Sequence, residues 1–227
     1  KAGMSIHLPD DTLVLRIANG NGCLLLNAKK MPSENLKNTS LKNTSANRVD
    51  CSTATFLDAH RVHSFVGAEK VAVSSVALDN IDVLKEMCIA VGSQSVVVII
   101  DVKKKLLGGY QIVTHNAKRN RKKKLLDFIK ELDEIGIGEI VINSVDNDGM
   151  MKGYDFKLLD QVRNTTNTPI SILGGAGHLD DIQEAINRYG IIGVAAGSLF
   201  VFKGKYKAVL INYPSHELKN KIINKYL

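Results

Sequence analysis

An aspartate ends a strongly apolar segment, where it could act as a general acid or base. Asp101 follows five apolar residues in SVVVIIDV (95–102), a pattern typical of a parallel strand buried on both faces. A carboxylate at such a strand end is partly desolvated, which raises its pKa toward the range useful for proton transfer. The alternative is a structural ion pair of Asp101 with Lys103 or Lys104. We predict the catalytic role.

Polar side chains also accompany the next apolar run, EIVINSV (139–145). Asn143 lies within this run, and Asp146 and Asp148 come directly after it. The two acids alternate along an extended chain, so one can face a site while the other caps the following turn.

Two glycine-containing loops suit the binding of an anion. Residues 174–177 (GGAG) lie between a predicted strand and a helix that begins near Leu179. Their backbone N–H groups can approach an anion, with the helix dipole behind them. Gly197 and Ser198 follow the next strand and would complete a phosphate cradle. The alternative is that these glycines only permit tight turns.

The elements that position these residues alternate regularly between helix and strand. The predicted helices are 54–67, 79–92 with Asp79 as its N-cap, 122–138, 155–166, 179–190 and 205–213, and the predicted strands are 70–75, 95–102, 139–145, 169–175 and 193–198. Such alternation predicts a parallel sheet joined by right-handed crossovers. All the polar strand ends, including Ser74 and Ser75, then meet at one edge of the sheet.

The spacing suits either a (β/α)8 barrel or a doubly wound sheet. The doubly wound alternative needs a GxGxxG turn that opens a helix, and the sequence contains none. We therefore predict an α/β protein with a single (β/α)8 TIM-type barrel domain over residues 1–227. Residues 1–53 diverge from the pattern, and LVLRIA (13–18) and CLLLNA (23–28) could form a hairpin across Asn-Gly steps. The barrel is expected to be irregular or incomplete there.

Composition excludes several classes of protein. The chain has 227 residues, 44% of them hydrophobic, and no apolar run long enough to cross a membrane. Together with an N-terminus unlike a signal peptide, this predicts a cytoplasmic protein. The net charge of +7 is concentrated in residues 118–124, which lack interleaved aromatics, so we predict a solvated segment there and no nucleic-acid groove. The histidines and the three cysteines show no metal-site spacing, and we predict neither a metal nor another cofactor.

Five segments together resemble a known family. GAEKVAVSS, GSQSVVVIIDVKK, GEIVINSVDNDGMMKGYD, ISILGGAG and AAGSLFVF occur in the order and spacing of the cyclase subunit of imidazole glycerol phosphate synthase, a (β/α)8 barrel of bacterial histidine biosynthesis. The resemblance covers roughly two thirds of the chain. It implies an enzyme, a lyase within a glutamine amidotransferase complex. Ammonia from a glutaminase partner would be inserted into a bisphosphorylated ribonucleotide, which is then cyclised and cleaved.

The resemblance also implies roles for individual residues. Asp101 is similar to one of two catalytic aspartates. Lys70 and Glu139, at the opposite mouth, are similar to members of a charged ring that gates ammonia entry. The residues similar to substrate- and phosphate-binding positions are Ser74, Ser75, Asn143, Asp148, Gly149, Gly174, Gly175, Gly197 and Ser198.

The chain departs from this family at several positions. The second catalytic aspartate, in a first-strand motif of the type LDVxxG, is not found in residues 1–53, and Asn147 and Met150 replace an Arg and a Thr. THN (114–116), MKGYD (151–155) and AVLINYPS (208–215) resemble a second branch. Its members, encoded with surface-polysaccharide genes, conduct ammonia for amidation of a nucleotide sugar. Both branches remain open from the sequence.

Overall fold

The computed structural model describes residues 6–7, 13–14, 23–28, 48–49, 68–114, 117, 119–203, 208–209 and 213–223. The strands are β1 (Ile6–His7), β2 (Leu13–Val14), β3 (Cys23–Ala28), β4 (Arg48–Val49), β5 (Ala68–Val73), β6 (Val96–Lys104), β7 (Tyr110–Thr114), β8 (Arg119–Asn120), β9 (Glu139–Ser144), β10 (Ile170–Leu173), β11 (Gly193–Val194), β12 (Phe202–Lys203) and β13 (Ala208–Val209). The helices are α1 (Ser75–Asp79), α2 (Ile81–Val91), α3 (Leu125–Ile135), α4 (Phe156–Arg163), α5 (Leu179–Tyr189), α6 (Ser198–Val201) and α7 (His216–Ile223), with a 3-10 turn at Ser93–Ser95.

Five parallel strands form the centre of the fold, in the order β5, β6, β9, β10, β11. One or more helices cover each crossover between them: α1 and α2, then α3, α4 and α5. The β-branched runs form these strands because both of their faces are buried. The predicted α/β class and parallel sheet are confirmed.

The two faces of the parallel sheet carry different residues. Alternate strand side chains pack against the helices in a core that includes Leu84, Met87, Phe128, Leu132 and Leu158. The other face, here called the inner face, holds a smaller apolar cluster formed by Ala72, Val97, Ile99 and Val141, with Leu173 packed against it. Side chains two positions along each strand share this face. It therefore also carries Lys70, Asp101, Glu139, Asn143 and Ser171.

The C-terminal part of β6 forms an antiparallel hairpin with β7. The strand continues past the sheet, turns at residues 105–109 and returns as β7, which pairs with β8. The turn is closed by the Lys105 N–H, which donates to Gly109 O at 3.0 Å. Gly108 and Gly109 adopt positive φ of 92° and 78°, as a two-strand turn of this kind requires. This hairpin projects from the edge where the parallel strands end.

In the N-terminal part, strand β3 pairs antiparallel with β4 and β5, and β2 pairs with β1. Residues 15–22 of the predicted hairpin lie outside the described residues. An apolar strand gains more by joining the edge of the large sheet than by forming an isolated ribbon. This antiparallel pairing departs from a regular barrel in the N-terminal part, as predicted.

Two differences from the predictions concern helices. Asn80, not Asp79, caps α2, its side chain accepting from the Asp82 N–H at 3.1 Å. Residues 208–209 form β13, paired with β12, where a helix was predicted. The predicted helix at 54–67 lies outside the described residues. No helix in the described ranges is long and apolar enough to cross a membrane.

Candidate functional site

The inner face is arranged in three layers along the strands. At the N-terminal end, Lys70 Nζ lies 2.6 Å from Glu139 Oε2, and the Ser171 hydroxyl donates to Glu139 Oε1. The apolar cluster of the inner face forms the middle layer. At the C-terminal end, Asn143 Nδ2 donates to Asp101 Oδ1 at 2.8 Å. A layer of apolar side chains thus separates the charged pair from the Asp101 carboxylate.

Asp101 is partly buried in β6, close to where the parallel pairing of β6 with β9 ends. Burial raises the pKa of its carboxyl above the usual value, the hydrogen bond from Asn143 opposes that increase, and the charge of Asp148 adds to it. Among the described residues Asp101 forms no ion pair with Lys103 or Lys104, so the alternative derived from the sequence is wrong. A carboxyl with a raised pKa holds a proton more readily than a free carboxyl and can return it.

Lys104 instead links the β6–β7 hairpin to the loop and helix that follow β9. Its Nζ lies 3.0 Å from Asp155 Oδ2, and its backbone N–H donates to Asp146 Oδ2 at 2.7 Å. Asp155 is buried, accepts from the Tyr110 hydroxyl at 3.0 Å and caps α4 through the Leu158 N–H. Asp146 therefore holds the hairpin in place. Asp148 is exposed, and its charge acts on Asp101.

The loop after β9 meets the loop after β11. Gly149 adopts φ of 75°, and a Cβ built on it would lie 4.0 Å from Ser198 Oγ. Gly197 begins α6, and a Cβ there would meet no atom within 4 Å, so its backbone borders open space. These contacts bring the predicted residues Gly149 and Ser198 together at the same edge.

The loop after β10 packs tightly against residues 151–153. Gly175, at φ of 119°, lies so close to the other loop that a Cβ would come within 2.1 Å of Gly153 O. The Gly153 N–H donates back to Gly175 O at 2.9 Å. Gly177 approaches Met151 O in the same way, since a Cβ on Gly177 would lie 2.3 Å from that oxygen. Glycine is required here for close approach of two backbones, in addition to any role in anion binding.

The remaining predicted positions lie at the same edge or at the opposite end. Ser74 and Ser75 stand at the end of β5, where Ser74 precedes α1. Gly174 follows β10, and its backbone approaches the Asn143 side chain. Lys70 and Glu139 form the pair at the N-terminal end. In the described part of the chain, no three His, Cys, Asp or Glu side chains are grouped as a metal site.

Acidic side chains partly neutralise the basic segment at residues 119–124, which the sequence analysis weighed as a nucleic-acid groove. Arg121 pairs with Asp79, and Lys123 pairs with Glu131 and lies 4.8 Å from the centroid of the Phe128 ring. These contacts tie the segment to α1 and α3, with Arg121 holding the end of α1 and Lys123 lying over α3.

Two residues of the site were missed from the sequence. Ser171 shares the inner face with Glu139 on the neighbouring strand, a position that strand alternation reveals once the register is known. Tyr110 reaches Asp155 only because β7 folds back over the site. The dipeptide Gly108-Gly109, between two runs rich in apolar residues, was the signal for that hairpin.

Comparison with known proteins shows to which family the chain is similar. A family model described as "Histidine biosynthesis protein" matches residues 54–207, which is more than half of the chain. A protein of Leptospira borgpetersenii named "Putative imidazole glycerol phosphate synthase subunit HisF" is 50% identical over 158 residues, covering 69% of this chain and 62% of that protein.

Two other relatives extend the comparison. A Vibrio vulnificus (strain YJ016) protein named "Putative imidazole glycerol phosphate synthase subunit hisF3" is 44% identical over 159 residues, 70% of this chain and 61% of its own length. "Imidazole glycerol phosphate synthase subunit HisF" of Dictyoglomus thermophilum is 37% identical over 136 residues, 60% of this chain and 54% of its own. The chain thus spans less than two thirds of the length of these curated relatives. The chain belongs to the histidine biosynthesis protein family, whose fold is the TIM barrel.

Proposed function

We propose that this chain is a cyclase-type subunit of imidazole glycerol phosphate synthase, which uses ammonia from a glutaminase partner on a phosphorylated ribonucleotide. One observation carries the proposal. The inner face places a charged pair at one end, an apolar layer in the middle and a partly buried carboxylate at the other end. This arrangement suits a neutral, small nucleophile that crosses an apolar layer, because an ion would be desolvated there at high cost.

Asp101 is the proposed general acid and base of the reaction. Its raised pKa favours proton exchange between the carboxyl, the nucleophile and the substrate. The hydrogen bond from Asn143 fixes the orientation of the carboxylate. A group held in this way loses little entropy when the reacting atoms arrive.

The phosphorylated substrate would lie across the edge where the parallel strands end. Gly174 and Gly175 on one side, and Gly197 and Ser198 on another, offer backbone N–H groups and a hydroxyl for one phosphate. Ser74 and Ser75 would serve the other phosphate. Asp148 and Gly149, close to Ser198 through the loop contact, would bind the sugar side of the substrate. No cofactor or metal is part of this proposal.

Lys70 and Glu139 form the proposed entrance for ammonia. The pair stands at the far end of the inner face, and the Ser171 hydroxyl holds the second oxygen of Glu139. A glutaminase docked at this end would release ammonia next to the pair. The names of the relatives support a synthase subunit, and the glutaminase partner is part of our proposal for this chain.

A second candidate is a family member that conducts ammonia for amidation of a nucleotide sugar in surface-polysaccharide biosynthesis. Among the described strand residues at the C-terminal end of the inner face, Asp101 is the one carboxylate. β3, which contains no acid, joins β5 antiparallel and so does not bring its C-terminal end to this edge. A barrel with one catalytic acid would cyclise slowly, since a general acid or base contributes about 10² to 10⁴ in rate.

Steady-state turnover of the bisphosphorylated ribonucleotide, with ammonium salt or with glutamine plus the glutaminase, tests the proposal. We expect turnover from both nitrogen sources in the wild type. Lys70→Met should reduce glutamine-dependent turnover and leave ammonium-dependent turnover unchanged, because ammonium does not need the entrance. Lys85→Met, on the exposed face of α2, is the matched control. A folded protein that binds phosphate but shows no turnover from either source would favour the second candidate.

A further inference from the structure

The amide of Asn143 uses its donor but leaves its acceptor open. Asn143 is only 7% exposed, and its Nδ2 donates to Asp101 Oδ1 at 2.8 Å. Its Oδ1 is buried and accepts no hydrogen bond from the described residues. Most buried side-chain polar atoms in folded proteins have a partner, so an open acceptor at a candidate site points to a ligand.

The orientation of this amide is fixed by its neighbour. An ionised carboxylate only accepts hydrogen bonds, so the NH2 group of Asn143 must face Asp101. The opposite rotamer would place two oxygens against each other. Oδ1 therefore points away from Asp101, toward the neighbouring strand β10 and its loop.

The surroundings of Oδ1 keep it clear of other side chains. A Cβ built on Gly174 would lie 3.0 Å from Asn143 Oδ1 and 2.6 Å from Ser144 O, so a larger residue at this position would crowd the acceptor. On the same strand, the inner-face residue before Asn143 is Val141 of the apolar layer. The acceptor is closed to bulk water and lies next to the apolar layer of the inner face.

We propose that Asn143 Oδ1 accepts a hydrogen bond from the incoming ammonia, while Nδ2 holds the Asp101 carboxylate beside it. The inference rests on the proposed function and names the part of the site that takes the nucleophile. Ammonia has three N–H donors, and the two side chains offer two acceptors at the end of the apolar layer. With two donors engaged, its lone pair stays free to face the substrate. Asn143 is a positioning residue toward Asp101 and a binding residue toward ammonia.

Two substitutions separate these roles. Asn143→Leu keeps the shape of the side chain and removes both the donor and the acceptor. Asn143→Asp keeps an acceptor oxygen and removes the donor. Initial rates are measured at alkaline pH with ammonium chloride and the bisphosphorylated ribonucleotide each varied in turn. Ser144→Ala, the next residue on the strand and on the opposite face, is the control.

The expected result is a split between the two Michaelis constants. In Asn143→Leu the KM for ammonium should rise about fivefold, the loss of one hydrogen bond, while the KM for the nucleotide stays within twofold. Asn143→Asp should keep the wild-type KM for ammonium and lose kcat. A purely structural role would change both KM values together or neither.

An NMR titration of the Asp101 carboxyl carbon gives a readout that does not depend on turnover. Removing the Nδ2 donor must raise the pKa of Asp101 in both variants, and an unchanged pKa would overturn the positioning role. Turnover by the wild type with an unaltered ammonium KM in Asn143→Leu would overturn the ammonia role alone. Absence of wild-type turnover would overturn the proposed function, and the ammonia role with it.

Discussion

Gly175→Ala should destabilise the protein far more than an alanine at another glycine of positive φ. Gly175 has φ of 119°, and a Cβ there would lie 2.1 Å from Gly153 O, where ordinary contact begins at 3.4 Å. The two loops must separate, which breaks the 2.9 Å hydrogen bond from the Gly153 N–H to Gly175 O. Gly136, the αL residue that ends α3, also has positive φ of 76° but no atom within 4 Å of a Cβ position.

The magnitudes follow from these contacts. Positive φ alone costs an alanine about 1 kcal/mol, which is the whole expected effect of Gly136→Ala. Gly175→Ala adds the steric displacement and the lost hydrogen bond, for a total of about 3 to 5 kcal/mol. Because the displaced loops carry the proposed phosphate site, affinity for inorganic phosphate should also fall at least about tenfold, roughly 1.4 kcal/mol.

Urea denaturation of the two variants and the wild type measures this difference. With a slope of about 2 kcal/mol per molar urea, the midpoint should fall by about 0.5 M in Gly136→Ala and by at least about 1.5 M in Gly175→Ala. Equal midpoints for the two variants would refute the close approach of the loops. If the folded Gly175→Ala variant binds phosphate as tightly as the wild type, the phosphate site does not depend on the contact between the two loops.

Three further predictions concern carboxylates. Asp155→Ala removes the α4 cap and the partner of the Tyr110 hydroxyl, so the free energy of unfolding should fall by about 2 kcal/mol, and a loss below about 0.5 kcal/mol would contradict it. Burial raises the pKa of Asp101, so ionisation of its carboxyl costs folding free energy as pH rises from the unfolded pKa of about 3.9 to the raised pKa. In urea titrations, Asp101→Asn should therefore gain stability relative to the wild type as pH rises above about 4, and a constant difference would be evidence against burial. Hydrogen bonds from Thr166 and Thr168 lower the pKa of Asp133, whose contribution is present above pH ~3.9 and is lost as pH falls through the lowered pKa. Asp133→Asn should remove this loss of stability at low pH. If the free energy of unfolding of Asp133→Asn falls at low pH as in the wild type, the prediction is wrong.

The sequence predicted the parallel sheet and the edge that carries the site because both follow from local patterns. A continuous β-branched run that ends in Asp101, with a second run ending near Asn143, predicts neighbouring strand ends. The structure brings these two side chains to 2.8 Å. The glycine loops also lie at the edge that the alternation of strands predicted. Lys70 and Glu139 lie at the opposite end, a position that the family resemblance implied.

The features that the sequence did not predict depend on contacts between distant segments. β7 was missed since its five residues follow a turn inside what looked like one loop, and Asp155 gains its partners only when that strand folds back. The strand at residues 208–209 replaces a predicted helix because it pairs with β12, a contact that no local propensity contains. The open acceptor of Asn143 depends on the register between β9 and β10, which only the assembled sheet defines.

The central claim is that Asp101 is the acid and base of an ammonia-dependent cyclisation. The most direct test is turnover of the bisphosphorylated ribonucleotide with ammonium salt at alkaline pH and no glutaminase, in the wild type and in Asp101→Asn. Asp127→Asn, an exposed acid in the first turn of α3, serves as the control. We predict turnover in the wild type and control, and a loss of about 10² to 10⁴ in Asp101→Asn. Turnover that survives in Asp101→Asn would contradict the account.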